Sequence, residues 1–475
     1  MTPAPGDSGP STSLGTGPVA ILVVHGIGAQ EAGESARKLL AGLARVDRNV
    51  ESTAHAGVVT VCGQPVRIYE VYWADLLTGA ATRGAFHINE LQSLSWFPWF
   101  NHRRGNYQRG HYSFLKLAWW WIALPIFNFF ALFAYYGAGF LAQIVFRDKA
   151  EEHTEHAGGT VWEEAKKAAA RTSKPSAVDA LLDEYVGDVF SYVNSAGSAF
   201  YRDTGETPIP AAAERAYEQI VQRFYDQLLK AQADGCATIH VVAHSLGTVV
   251  AYHALTGLGF DAGGRTDADA IRSAMLTVRR LYTIGSPLEK IRFFWPRLTP
   301  ASAALGTPAF QWDNFVSWFD PVAGTLKRFD DWGKVTNHRL LGGGFVRGHV
   351  VYEHSPVFLG VLTRGLCGRD IPLVRTPKEV WSDRLVLAGE TLFAPAVVAV
   401  VLLLGMSLFV LTALLLPFLL SLVLRLFLPE PTWVHIQNVT AVAFIGMMVL
   451  AFLVGPMVRA SRVHSLHWVV TRPQL

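Results

Sequence analysis

Ser245 stands in Thr238-Ile-His-Val-Val-Ala-His-Ser-Leu-Gly-Thr-Val-Val250. A β-branched apolar run (Ile239 to Val242) enters Ala243-His244-Ser245-Leu246-Gly247, and a helix-like run (Thr248 to Leu255) leaves it. Strand, sharp turn, helix is the setting that lifts a serine hydroxyl above a sheet edge. The small residues Ala243 and Gly247 let the two backbones pass closely. Serine is a poor nucleophile until a base takes its proton, and an acid must fix the tautomer of that base. Both partners are available downstream. Asn314-Phe-Val-Ser-Trp-Phe319 reads as a strand running into Asp320-Pro321, where the proline holds the aspartate in an extended turn. Asp313 is a nearby competitor. Gly342-Gly343-Gly344 opens a stretch that reaches Gly348-His349 and Tyr352-Glu353-His354. His349 is the preferred base, because it follows a glycine in a loop and Tyr352 can pack beside it. His354 is the alternative.

A developing oxyanion needs backbone N–H groups aimed at it. Pro18 to Val24 is a continuous apolar run, read as a buried strand, and it ends in His25-Gly26-Ile27-Gly28. This turn offers N–H groups near Gly26 and Ile27, and Leu246 N–H is the second donor. The turn lacks the third glycine of a dinucleotide fingerprint. His25 and His244 flank the site and are expected to pack or hydrogen-bond structurally. Read singly, each residue has an ordinary explanation: Asp320 as a turn residue, His349 or His354 as one of 16 histidines. The order oxyanion turn, Ser, Asp, His, with the first three each after a strand-like segment, favours the concerted reading.

In these blocks, with Glu70-Val-Tyr-Trp-Ala-Asp-Leu76, Thr283-Ile-Gly-Ser-Pro-Leu288 and Phe319-Asp-Pro-Val-Ala323, the chain resembles lipase/esterase-type α/β hydrolases. Among them it is similar to membrane-associated lipase-like proteins, including DDHD-type phospholipases and deacylases acting on lipid anchors. No Asp-Asp-His-Asp run is present, since Asp330-Asp331 is followed by Trp332-Gly333. The resemblance covers scattered blocks between 18 and 360. It implies an α/β-hydrolase-like, mostly parallel sheet flanked by helices, and acyl-ester hydrolysis without cofactor or metal. Two rivals remain: a hydrolase-like scaffold that binds lipid or a partner without turnover, and acyl transfer to an acceptor other than water.

Composition points toward lipid. Of 475 residues, 51% are hydrophobic and only 17% charged. A net charge of +3, with no basic stripe, gives no reason to expect nucleic acid. Leu117 to Phe146 is uncharged and begins near Trp119-Trp-Trp121, which suits an interfacial belt. Thr391 to Leu424 and Val439 to Val458 form an expected C-terminal transmembrane hairpin. Basic residues flank these segments, with only Arg425 between the last two, so the catalytic part and the tail 459–475 are expected in the cytoplasm. His25-Gly26 and Ser245 must share one site, so 117–146 is expected to enter the bilayer and return, as a membrane-docking insertion within a catalytic domain spanning 18–390. Residues 1–17 read as a disordered tail without a cleavable leader. Cys62, Cys236 and Cys367 are odd in number and far apart, so a disulfide framework is not expected. The partners implied are a lipid bilayer and an acyl-ester or lipid substrate.

Overall fold

Val19–Val24 forms β1, buried along its whole length as an unbroken apolar run requires. Six further strands follow: β2 (Val58–Val61), β3 (Gln64–Val71), β4 (Thr238–His244), β5 (Val278–Ile284), β6 (Gln311–Ser317) and β7 (Val335–Leu340). In the computed structural model they make one seven-stranded sheet in the order β2-β3-β1-β4-β5-β6-β7. β2 and β3 pair antiparallel, and all other neighbours are parallel. Residues 17–26, 30–46, 58–78, 211–257, 267–299 and 310–317 are described continuously, with separate stretches of 320–368, most of 377–446, and single positions between 126 and 196.

Parallel strands of this kind are buried on both faces and need helices over each. The helices are α1 (Glu34–Val46), α2 (Ala74–Thr78), α3 (Ala211–Ala233), α4 (Gly247–Thr256), α5 (Ala268–Met275), α6 (Leu288–Phe294), α7 (Pro356–Cys367) and α8 (Pro377–Leu424). α3 buries Tyr217, Ile220, Val221, Phe224 and Leu228, an apolar stripe at helical spacing. It packs on α4, α5 and β3. Val19, Ile21 and Val23 of β1 share a core cluster with Leu39 and Leu43 of α1 and Phe358, Leu359 and Leu362 of α7. The alternate side chains Ala20 and Leu22 point to the other face. The start of α1 is tied to β3, because the Glu70 carboxylate accepts N–H groups from Gly33, Ser35 (3.0 Å) and Ala36 (3.4 Å). A carboxylate at that end also suits the helix dipole.

Several boundaries differ from the sequence reading. β6 begins at Gln311, three residues before the expected Asn314, because Trp312 is buried and pairs with Leu281 of β5. The stretch 261–269, polar and with Gly263-Gly264, reads as a loop, but the chain turns helical at Ala268. The cysteine expectation is overturned: Cys62, in the β2–β3 turn, is bridged to Cys367 at the end of α7. Their separation of 305 residues hid the pairing, since spacing is informative only for short-range frameworks. Cys236 is free and buried.

The chain divides into two compact units, one within 1–83 and 188–391, the other within 84–187 and 392–469. The sheet and its flanking elements belong to the first. In the second, Leu402–Leu424 is long and apolar enough to cross a membrane by length and composition, the one such helix among the described residues. Leu403, Val410, Leu414, Phe418 and Leu422 are exposed on it. Phe130 meets Phe409 edge-on, with ring centroids 6.5 Å apart. Pro395 and Pro417 within 391–424 would be expected to interrupt a helix, yet α8 continues through both. The tail 1–16, almost all of the insertion 117–146, the polar stretch 151–170 and residues 447–475 lie outside the described residues.

Candidate active site

β1 is third in the strand order, with β3 on one side and β4 on the other, and the order reverses direction at this point. The crevice at the carboxyl ends of two such strands is where open α/β sheets bind ligands. His25-Gly26 follows β1, and Ser245 follows β4.

Ser245 is the turn between β4 and α4. Its φ is +52°, a left-handed conformation that is uncommon and costly for a residue with a side chain. The turn is held on both sides. Ser245 N–H donates to Ile284 O of β5 at 3.0 Å, and Thr248 N–H and hydroxyl donate to Ser245 O at 3.0 and 2.7 Å. The glycine after it is obligatory. A Cβ on Gly247 would sit 2.2 Å from His25 O and 2.6 Å from Val24 O. β1 and α4 therefore cross in backbone contact, which brings the two turns together.

His349 is the histidine that reaches the serine. Its Nε2 lies 2.8 Å from Ser245 Oγ, and its Nδ1 lies 2.9 Å from Asp320 Oδ2. With Nδ1–H donating to the carboxylate, Nε2 carries the lone pair and is placed to accept a proton from the serine hydroxyl. His354 is exposed at the end of a short 3₁₀ turn (Tyr352–His354). Asp313 serves elsewhere: it accepts from His338 Nε2 at 2.8 Å and faces Arg280 at 3.6 Å. All three members of the chain Ser245, His349, Asp320 are buried.

Asp320 is fully committed. Oδ1 accepts N–H groups of Val322 (2.8 Å) and Ala323 (3.2 Å), while Oδ2 accepts from His349 and from the Tyr352 hydroxyl (2.7 Å). Burial works against its charge, but the bonds from His349, Tyr352 and Val322 outweigh it and hold its pKa at about 2. It is ionised at any ordinary pH and can stabilise an imidazolium.

At the turn expected to hold an oxyanion, Gly26 abuts Ser245, and Leu246 is buried at the foot of α4. Ile27 lies outside the described residues. His25 is held at both ring nitrogens and at its carbonyl oxygen. Its Nδ1–H donates to Gly26 O at 2.6 Å, its Nε2 accepts from Trp73 N–H (2.9 Å) and Ala74 N–H (3.2 Å), and its O accepts from Trp73 Nε1 (3.2 Å). Burial lowers its pKa to about 4, so it is neutral and holds the turn. His244 also supports the site from outside the reaction. Its Nε2–H donates to His349 O at 2.7 Å, and its Nδ1 faces Glu353 at 3.6 Å. Burial lowers its pKa, against the pull of Glu353.

Three contributors have roles that a reading of the sequence does not assign, although two of them, Gly285 and Ser286, lie in the Thr283-Ile-Gly-Ser-Pro-Leu288 block. Gly285 (φ +62°) lies under the site, where a Cβ would meet Tyr352 at 3.0 Å and His349 at 3.1 Å. Its one signal is a glycine directly after a core strand. Ser286 bonds Thr248 hydroxyl to hydroxyl at 2.8 Å, and Glu353 backs His244. Neither has a local signature. Among the described residues, no group of His, Cys, Asp and Glu is arranged to hold a metal. No protein-family model and no curated protein sequence matches the chain.

Proposed function

We propose that the chain is a membrane-anchored serine hydrolase of α/β-hydrolase type, cleaving acyl esters and, by its lipid setting, esters with long acyl chains. The observation that carries the reading is the hydrogen-bonded series Ser245 Oγ, His349 Nε2, His349 Nδ1, Asp320 Oδ2, with links of 2.8 and 2.9 Å, beyond the carboxyl ends of the parallel strands. Ser245 Oγ attacks the acyl carbon as His349 takes its proton, and the carbonyl electrons move to oxygen. Leu246 N–H and the Gly26–Ile27 turn hold that oxyanion. Collapse breaks the ester C–O bond, and the alkoxide leaves as an alcohol with the proton from His349. Water, deprotonated by His349, then attacks the acyl-enzyme, releases the acid and restores the serine.

The exposed apolar helix Leu402–Leu424 supports anchorage, since its 23 residues extend about 35 Å at the usual rise, enough for the hydrocarbon core. On the side of the membrane two features point opposite ways. The basic flanks favour a cytoplasmic catalytic unit. The Cys62–Cys367 bridge favours an oxidising compartment.

The test is covalent labelling with a fluorophosphonate probe. Wild type is expected to label and Ser245→Ala is not. Equal labelling of both removes the nucleophile assignment.

A further inference from the structure

Tyr352 makes contacts that neither packing nor a routine buried phenol requires. Its side chain is fully buried. Its oxygen accepts Ser317 N–H at 2.9 Å and donates to Asp320 Oδ2 at 2.7 Å. Ser317 closes β6, and Asp320 comes three residues later. The phenol thus ties the end of the strand to the carboxylate that the strand delivers. Tyr352 also lies three residues after His349, so both donors to Oδ2 come from one short segment. That segment is seated on Gly285, the one residue type that leaves room for both rings, and Glu353 O packs against Gly42 of α1.

Resting on the hydrolase reading above, we propose that Tyr352 is a positioning residue of the reaction. It holds Asp320 in register with His349, and by sharing Oδ2 it sets how strongly the carboxylate supports the protonated base. The two effects are separable. Removing the hydroxyl leaves Ser317 N–H without this acceptor and lets the carboxylate rotate, which slows turnover. It also leaves Oδ2 with one donor fewer and makes the carboxylate more basic. The imidazolium is then better stabilised, so the base stays protonated to higher pH. The other ionisable groups facing His349 and Asp320 are His244 on the β4 turn and Glu353 behind it, and both are untouched by the change.

The experiment uses the full chain in detergent with a p-nitrophenyl acyl ester, comparing wild type, Ser245→Ala, Tyr352→Phe, and a chain with 3-fluorotyrosine at position 352. Tyr225→Phe is the control, since it removes an equally buried hydroxyl, bonded to Ala254 O, away from the site. Tyr352→Phe is expected to lower kcat by roughly 10- to 100-fold, as a bond to a charged group is lost, with KM little changed. The acid limb of its kcat/KM profile moves to higher pH by about half a unit or more. Fluorotyrosine, a stronger donor that keeps the hydroxyl and the shape, moves the limb the other way, and so serves even if the Phe variant fails to fold. Tyr225→Phe leaves the limb in place. Limbs that coincide with wild type in both 352 variants overturn the proposal. Activity that survives Ser245→Ala overturns the hydrolase reading itself, and is recognised separately.

Discussion

Gly26 and Ser245, 219 positions apart in sequence, approach so closely that a β-carbon on Gly26 would lie 2.8 Å from the serine's own Cβ. Real Cβ atoms do not come that near, so a methyl group at 26 must push either the His25-Gly26 turn or Ser245. Gly26→Ala is therefore expected to cut kcat/KM by at least 100-fold, the scale of a 1 Å misplacement at a reacting centre. Fluorophosphonate labelling should slow in parallel, while thermal unfolding changes little. A variant with full activity would show that the turn takes no part in the site.

The two histidines near the C-terminal side of the sheet should respond very differently. His349→Ala is expected to lower the hydrolysis rate by several orders of magnitude, as loss of a triad member does. His354→Ala removes an exposed side chain and should change the rate less than threefold. Steady-state kinetics on one ester are enough to separate them, and the reverse ranking would move the base to His354.

Stability should fall on the acid side of neutrality. Burial lowers the pKa of His25 to about 4, of His240 to about 3 and of His253 to about 4, from an ordinary 6.5. In the unfolded chain these rings gain protons near pH 6.5, in the folded chain only well below 5. Between those limits the unfolded state binds more protons. Stability is thus fully present above about pH 6.5 and declines as pH drops, by up to about 1.4 kcal/mol per unit for each histidine. Urea unfolding at pH 8, 6 and 5 measures the slope. His253→Gln, which removes the ring held between Tyr192 and Leu298 O, should make it shallower. A slope that rises toward acid would contradict burial of neutral histidines.

Cys62 and Cys367 should behave as one cystine. Without reductant, denatured protein is expected to titrate a single thiol, Cys236, and three after reduction. Cys62→Ser should lower stability by about 2–4 kcal/mol, the usual effect of losing a native bridge. Mass-tagging of thiols in intact cells then reports the compartment. A protected pair puts the sheet-bearing unit on the oxidising side, and two free thiols put it in the cytoplasm.

What could be read from the chain alone was local. The strand, turn and helix around Ser245, the buried β1 and β5, and helices α1 and α3 all declare themselves by apolar runs or helical spacing, because backbone preference and burial act over a few residues. β7, Val-Thr-Asn-His-Arg-Leu, did not, since an edge strand with polar side chains lacks an alternating or continuous apolar pattern. Asp320 and His349 were recognisable as candidates by residue type and order. Local context, the proline after Asp320 and the glycine before His349, already favoured them over Asp313 and His354, but it could not exclude the alternatives. The bonds of Asp320 and His349 link positions 29 and 104 residues apart, and such partners are brought together only by the strand order and by the crossing of β1 over Gly247. The hydroxyl of Tyr352 on Asp320, the His244–Glu353 pair and the Cys62–Cys367 bridge belong to the same class. Each depends on which distant side chain ends up within 3–4 Å, and that is set by packing of the whole sheet, not by any stretch of chain around the residue itself.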